Sequence, residues 1–271
     1  LDRGHHENPY VAIHRMQTLG DDEHVLSCIE ALEDDKYLYT IMPLCEGRSI
    51  LDMLTCTTES REEITRKSMK QVWENLHYLQ SHGIVHHDLS HDNVLLLRGK
   101  LVLMDLAMSF QVPAERRTLV NPQGAYGKPP FMPPEVFYSM FPFDGFAMDL
   151  WSSGCILYLM LTGGYLLYLK PDPSDLLFRY SILARGISNE PMNSRVVELT
   201  IESYQESAET QDRQALLTRS IKNMELSFTS KDLLDNMMRL PPNQRFTLEQ
   251  VMEHDWTKGR AYTYQSGATP M

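Results

Sequence analysis

A chain of 271 residues that is 42% hydrophobic and 23% charged has the composition of an ordinary globular protein, with length for one large domain or two small ones. Its net charge of −11 argues against a nucleic-acid-binding protein, which would usually present a basic face. The charge mildly favours a basic partner or substrate peptide, although a solvated acidic surface explains it as well. The four cysteines form no C-x-x-C pair, which favours reduced thiols in a cytoplasmic or nuclear protein.

No membrane segment is expected from the sequence. Charged residues and histidines interrupt any apolar run at the start of the chain. The most apolar region, Cys155 to Leu169, is broken by Thr162, Gly163 and Gly164, so we interpret it as the end of a buried core helix. The first residue is Leu1 rather than Met, which favours a fragment or a processed product.

The start of the chain predicts one helix followed by a hairpin. Asn8-Pro9 can begin a helix that stops at Gly20, because proline suits a first helical turn and glycine suits a C-terminal cap. Two segments rich in Val, Ile, Leu and Tyr then predict strands joined by an acidic turn, over residues 25–32 and 37–42. A hairpin alone is marginally stable in water, so residues 1–42 are expected to be the least stable part of the chain.

The rest of the chain is expected to be mainly helical. A long amphipathic helix is predicted over residues 61–81, and two short strands over residues 94–97 and 101–104. A Pro-rich stretch at residues 107–134 is expected to be an exposed loop. Further helices are predicted over residues 49–56, 149–161, 173–184, 231–238 and 248–253. The polar stretch 188–223 indicates a helical insertion or a mobile loop, and the tail from residue 259 is expected to be disordered.

Residues 86–93 indicate a specific chemistry together with Asp105. They read His-His-Asp-Leu-Ser-His-Asp-Asn, and Asp105 follows twelve residues after Asn93. Phosphoryl transfer needs one carboxylate to orient a hydroxyl nucleophile, and an Asn and a second Asp to hold Mg²⁺ on the nucleotide phosphates. This pattern and spacing resemble the catalytic loop and the metal-binding Asp of the protein kinases.

The resemblance to the protein kinase superfamily extends over roughly residues 8 to 257. Other segments that carry it are Gly-Lys-Pro-Pro-Phe-Met-Pro-Pro-Glu at 127–135, Asp-Leu-Trp-Ser-Ser-Gly at 149–154, and Pro-Asn-Gln-Arg-Phe-Thr at 242–247. The resemblance implies an α+β fold with a complete, mainly α-helical large lobe and a residual small lobe of one helix and a β-hairpin. The implied divisions are a small lobe at 1–42, a hinge at 43–47, a large lobe at 48–258 and a tail at 259–271.

The resemblance assigns the phosphoryl-transfer roles. Asp88 would accept or orient the proton of the substrate hydroxyl, and Asn93 and Asp105 would ligate Mg²⁺, which prefers oxygen ligands. Glu135 and Arg245 resemble a buried ion pair that fixes the substrate-binding segment. Asp149 likewise resembles an Asp that accepts hydrogen bonds from backbone N–H groups of the catalytic loop.

The adenine of ATP would lie at the hinge in the same alignment. Met42 resembles the gatekeeper residue, the carbonyl of Pro43 and the backbone of Cys45 would face the base, and Leu95 would form part of the apolar floor beneath it. Ser49 is a candidate for contact with the ribose, but N-capping of the helix that follows explains this serine at least as well.

Several positions depart from the kinase pattern. No G-x-G-x-x-G occurs in the chain, and Ala12 stands where a helix Glu would pair with a strand Lys. That Lys strand would lie upstream of the first residue, so either the chain is cut there or this part of the small lobe is lacking. His87 replaces an Arg that grips an activation-loop phosphate. Ser90 replaces a Lys of the kinase pattern, and Lys128 replaces a Thr. The two changes suggest a reciprocal exchange in which Lys128 supplies the ammonium group near Asp88. The alternative is that Lys128 is simply solvated.

The sequence accommodates two functions. The first is a protein kinase that transfers the γ-phosphate of Mg·ATP to Ser or Thr hydroxyls of a protein substrate. The second is a pseudokinase that acts as a protein-binding scaffold or regulator. The changes at Ala12 and His87 favour the scaffold, whereas the intact set of Asp88, Asn93 and Asp105 favours the enzyme.

Overall fold

The computed structural model describes residues 8–47, 49–55, 58–112, 119–120, 127–139, 142–183 and 226–260. Within these residues, helices combine with short antiparallel strand pairs, and the α+β class predicted from the sequence is confirmed. The polar stretch 188–223 and residues 261–271 of the predicted tail lie outside the described residues.

The elements are named in chain order. The helices are α1 (Pro9–Leu19), α2 (Arg61–Ser81), α3 (Pro134–Phe137), α4 (Gly145–Thr162), α5 (Leu176–Phe178), α6 (Phe228–Met237) and α7 (Leu248–Glu253). The strand pairs are β1 (Glu30–Glu33) with β2 (Leu38–Ile41), β3 (Ile84–Val85) with β6 (Phe110–Gln111), β4 (Val94–Leu97) with β5 (Lys100–Leu103), and β7 (Leu119–Val120) with β8 (Phe143–Asp144). The short 3₁₀ helices and the π-helical turn are Ile50–Leu54, His91–Asn93, Pro129–Phe131, Arg179–Leu183 and Pro242–Gln244.

The centre of the main hydrophobic core lies where α2 packs against α4. Ser60 caps α2 by accepting a hydrogen bond from the N–H of Glu63 at 3.3 Å, and the apolar stripe of the helix then turns inward. Trp73 is fully buried in this interface, and its indole N–H donates to the hydroxyl of Ser153 at 3.1 Å. Both helices also contact β3, the strand that directly precedes residues 86–93.

Helix α4 is almost completely buried. It begins after Asp144, whose carboxylate accepts from the N–H of Phe146 at 3.0 Å, and it ends at Gly163, whose φ of +76° is the left-handed conformation that favours glycine. The helix is long and apolar enough to cross a membrane by composition alone, but 89% of it is buried inside the protein. Such burial is what the core helix of a globular domain shows.

The segment after α1 is hydrogen-bonded to β5. Val25 forms a parallel bridge with Leu103 of β5, and the N–H of Leu26 donates to the carbonyl of Leu103 at 2.9 Å. Gly20 allows the chain to turn here, because a Cβ at this position would lie 2.2 Å from the carbonyl oxygen of Met16. Its φ is −69°, so the glycine is required by close approach and not by a left-handed backbone.

Two predicted elements are corrected by the structure. The strand expected over 25–32 is reduced to β1, because Val25 and Leu26 bond to β5 instead. The helix expected over 173–184 is reduced within the described residues to α5 and the π-helical turn. The Asp175 carboxylate holds the chain in a turn there by accepting from the N–H groups of Leu169 and Lys170 at 2.8 and 3.0 Å.

Hydrogen exchange is expected to be faster in the hairpin β1–β2 than in the other described strand pairs. Both of its strands are mostly exposed, with Leu32, Tyr39 and Ile41 at 51%, 48% and 43% exposure. The matched control is the hairpin β4–β5, which has strands of the same length and a buried interior. Amide exchange followed by mass spectrometry should separate the two, and equal protection of both hairpins would contradict the expectation.

Candidate active site

One buried carboxylate, that of Asp149, fixes the backbone of the predicted catalytic loop, residues 86–93. Asp149 of α4 accepts hydrogen bonds from the backbone N–H groups of His86 and His87, at 2.7 and 3.0 Å. Burial raises the pKa of Asp149 to about 7, and the two N–H donors act in the opposite direction by favouring the ionised form. His87 has a φ of +69°, so these bonds help to hold a backbone conformation that a residue with a side chain rarely adopts.

His86 connects the catalytic loop to the segment that leads to Asp105. Its ring Nε2 lies 3.0 Å from the carbonyl oxygen of Met104, and its Nδ1 accepts from the N–H of Asp88 at 3.3 Å. Burial lowers the pKa of His86 to about 4, so the ring is neutral at neutral pH. A neutral ring that donates from Nε2 and accepts at Nδ1 satisfies both contacts.

Asp88 and Asn93 are joined directly. The side-chain amide of Asn93 donates to the backbone carbonyl of Asp88 at 2.8 Å and to its carboxylate at 3.2 Å. Burial raises the pKa of Asp88; the Lys128 ammonium opposes this rise and the charge of Asp105 adds to it. The carboxylate is thus a stronger base than an ordinary surface Asp, and its orientation is fixed by Asn93.

Asp105 lies in a turn between β5 and β6. Its φ of +62° departs from the strand conformation, and its carboxylate accepts from the N–H of Ala107 at 3.3 Å. The N–H of Met104 donates to the carbonyl of Asn93 at 3.0 Å, which ties the strand before Asp105 to the catalytic loop. The carboxylate of Asp105 and the amide oxygen of Asn93 are hard oxygen donors, so these residues fit the magnesium ion that the kinase pattern implies.

Lys128 reaches the catalytic loop from the segment before α3. Its ammonium group donates to the hydroxyl of Ser90 at 2.8 Å and to the carboxylate of Asp92 at 3.1 Å. The two exchanged positions therefore touch each other, although the catalytic role of Lys128 stays a prediction. Asp92 was not singled out from the sequence, because an exposed Asp in a turn carries no signal of its own.

The hinge residues lie beside β4. The N–H of Glu46 donates to the carbonyl of Leu96 at 2.8 Å, next to Leu95. Met42, Cys45 and Leu95 are half-buried and pack on the main core, whereas Leu44, the residue after Pro43, points outward with 93% exposure. Their arrangement is compatible with an apolar slot for a base.

Ser49 caps the 3₁₀ helix that follows the hinge. Its hydroxyl accepts from the N–H of Leu51 at 3.2 Å, and its own N–H donates to the carboxylate of Asp52 at 3.4 Å. Ser49 and Asp52, the third residue of the helix, together form a capping box. The capping interpretation of Ser49 is therefore the one that the structure displays, and contact with a ribose stays a prediction.

Glu135 and Arg245 form a buried bidentate ion pair. The two guanidinium nitrogens of Arg245 lie 2.5 and 2.9 Å from the two carboxylate oxygens of Glu135, and the Arg245 side chain is 0% exposed. The guanidinium also lies 4.5 Å from the centre of the Trp151 ring. This pair fixes the segment 127–135, which carries Lys128, against α4 and the region before α7.

The sequence comparisons agree with this geometry. Residues 4–257 match the family model of the protein kinase domain. The chain belongs to the protein kinase family. The match covers nearly the whole chain and confirms the resemblance drawn from the motifs, together with the kinase-like α+β fold.

Individual kinases are similar at lower identity. The chain is 28% identical to mouse sperm motility kinase 2B over 92% of this chain and 43% of that protein. It is 28% identical to the serine/threonine-protein kinase kin-29 of Caenorhabditis briggsae, over 89% of this chain and 25% of that kinase. It is 25% identical to calcium-dependent protein kinase 14 of Arabidopsis thaliana, over 89% of this chain and 39% of that kinase. The chain thus spans less than half the length of these relatives.

Proposed function

We propose that this kinase-family chain transfers the γ-phosphoryl group of Mg·ATP to Ser or Thr hydroxyls of protein substrates. The observation that carries the proposal is the hydrogen bonding of Asn93 to Asp88 on a loop that Asp149 holds in place. Asp105 lies near enough for its charge to raise the pKa of Asp88, and the residue before it, Met104, bonds to Asn93. Similarity to a kinase named as serine/threonine-specific supports the class of acceptor hydroxyl. A cytoplasmic or nuclear location is part of the same proposal.

The proposed reaction uses Asp88 as the base. Its carboxylate accepts the proton of the substrate hydroxyl while that oxygen attacks the γ-phosphorus; the bond from the γ-phosphorus to the bridging oxygen breaks, and ADP leaves. Asn93 keeps the carboxylate of Asp88 oriented from 3.2 Å away. When bound, Mg²⁺ would neutralise the phosphate charge, with Asn93 and Asp105 as its protein ligands. The raised pKa of Asp88 brings the base closer to the operating pH.

The nucleotide would extend from the hinge to the metal ligands. In this proposal the base lies between Met42 and Leu95, with the backbone of Pro43 and Cys45 along its edge. Lys128 supplies a positive charge near the transferred phosphate. It is already bound to Ser90 of the catalytic loop, so no large movement of the loop is needed to bring that charge to the site.

The alternative is a pseudokinase that acts as a scaffold. It is favoured by Ala12 on α1, which cannot form the ion pair that aligns the phosphates in an active kinase. It is also favoured by His87, whose buried ring stacks on Phe143 and meets Phe110 edge-on, because a neutral imidazole lacks the permanent charge with which an Arg grips a phosphate.

Titration calorimetry of ATP with and without Mg²⁺ tests the proposal. We expect Mg²⁺-dependent binding that Asp105→Ala weakens at least tenfold, because the variant loses a charged metal ligand. Asp255→Ala, which removes an exposed carboxylate that pairs with Arg260, is the matched control and should bind as the parent does. Binding without phosphate transfer to a peptide library would support the scaffold, and no binding at millimolar ATP would overturn the ATP site.

A further inference from the structure

One face of α1 lies against the turn that carries Asp105. The N–H of Asn8, at the start of this face, donates to the carbonyl of Ala107 at 3.2 Å. Ala12 follows one turn later on the same face and offers no polar group. Arg15 lies a further turn along, and its guanidinium donates to both the carbonyl and the hydroxyl oxygen of Ser109.

Ser109 is in turn hydrogen-bonded to Leu106, the residue after Asp105. Ser109 is 7% exposed, its N–H donates to the carbonyl of Leu106 at 3.1 Å, and its hydroxyl donates to the same carbonyl. Residues 105–109 therefore form a closed turn, with Arg15 bound at its far end. Because β6 begins directly after Ser109 and pairs with β3, the far end also adjoins the strand that precedes the catalytic loop.

We propose that Arg15 is a positioning residue that holds the metal-binding turn against α1 and so sets the place of Asp105. This inference rests on the proposed Mg·ATP site. In an active kinase a helix Glu and the metal-binding Asp must both be in place. Ala12 removes the first of these, and Arg15, with N–H groups fixed in a planar fork, connects α1 to the second through Ser109. The sequence alone did not indicate this role for Arg15, because an Arg on an amphipathic helix usually covers apolar surface with its side chain.

The test compares Arg15→Ala, Arg15→Lys and Gln17→Ala, the last as a control on the exposed side of α1. The first readout is amide exchange of residues 104–110, and the second is the affinity for ATP with and without Mg²⁺. We expect Arg15→Ala to accelerate exchange in the turn and to weaken Mg·ATP binding about tenfold, while ATP binding without Mg²⁺ changes less than about twofold. Arg15→Lys keeps a charged donor and should lie between the parent and Arg15→Ala.

Two results would overturn the role of Arg15. The first is that Arg15→Ala has the same amide exchange and the same Mg·ATP affinity as the parent. The second is that Arg15→Ala loses the same ATP affinity with and without Mg²⁺, because a loss through the metal ligand Asp105 would need Mg²⁺. If Arg15→Ala does not fold, Arg15→Lys decides between the same outcomes. If the parent chain binds no Mg·ATP, the proposed function fails, and exchange in the turn alone then decides whether Arg15 holds it.

Discussion

Replacing Glu135 with alanine will lower the free energy of unfolding by about 3 kcal/mol or more, because it leaves the buried charge of Arg245 without its carboxylate partner. The side chain of Arg245 is 0% exposed, so water cannot take over the role of Glu135. Hydrogen bonds from Arg245 to the carbonyls of Arg239, Leu240 and Ala147 remain, at 2.7, 3.2 and 3.3 Å, and they place the loss at the lower end of the range for broken buried pairs.

Urea unfolding will measure this loss as a lower midpoint concentration, and we expect the m-value to stay the same as that of the parent. The matched control is Glu59→Ala, which breaks an ion pair with Lys67 whose side chains are 39% and 54% exposed, and it should cost less than about 1 kcal/mol. Joint replacement by Glu135→Leu and Arg245→Met should recover much of the stability, because no charge is then left unpaired. A Glu135→Ala loss as small as that of Glu59→Ala would show that the pair contributes no more than a surface contact.

The sequence was most informative where function depends on residues close together in the chain. Asp88 and Asn93 are separated by one tight loop, so their spacing alone indicates that they can meet, and the structure joins them by two hydrogen bonds. Helix α2 was predicted with its observed bounds, because a capped amphipathic pattern defines both its start and its buried face. Distant pairs such as Glu135 and Arg245 were expected only through the family resemblance.

The strand pairs and bonds that the sequence did not predict depend on contacts between distant parts of the chain. The strands β3, β6, β7 and β8 are two residues long, which is too short to leave an alternating pattern. The bridge from Val25 to Leu103 competes with the hairpin for the same residues, and only the packed structure shows which pairing wins. The bond from Arg15 to Ser109 joins residues 94 positions apart and needs the orientation of α1, which no local pattern specifies.

The second large effect concerns the base. Asp88→Asn should lower kcat by about 10²–10⁴, because the amide cannot accept the proton of the substrate hydroxyl. The KM for ATP should change less than about threefold, since the amide oxygen can still accept the hydrogen bond from Asn93, and Asp105 is unaltered. Steady-state phosphate transfer to a peptide substrate measures both constants. Asp255→Asn, an exposed carboxylate paired with Arg260, is the matched control and should leave both unchanged.

The pH dependence gives this prediction a second readout. Burial raises the pKa of Asp88, and the ionised form is the active base, so the parent rate should rise with pH through a value above the ordinary 3.8 of an Asp. Removal of the Lys128 charge by Lys128→Met should move this rise of the rate to still higher pH, because the ammonium group lowers the pKa of Asp88. A variant Asp88→Asn that retained the parent kcat would exclude Asp88 as the base.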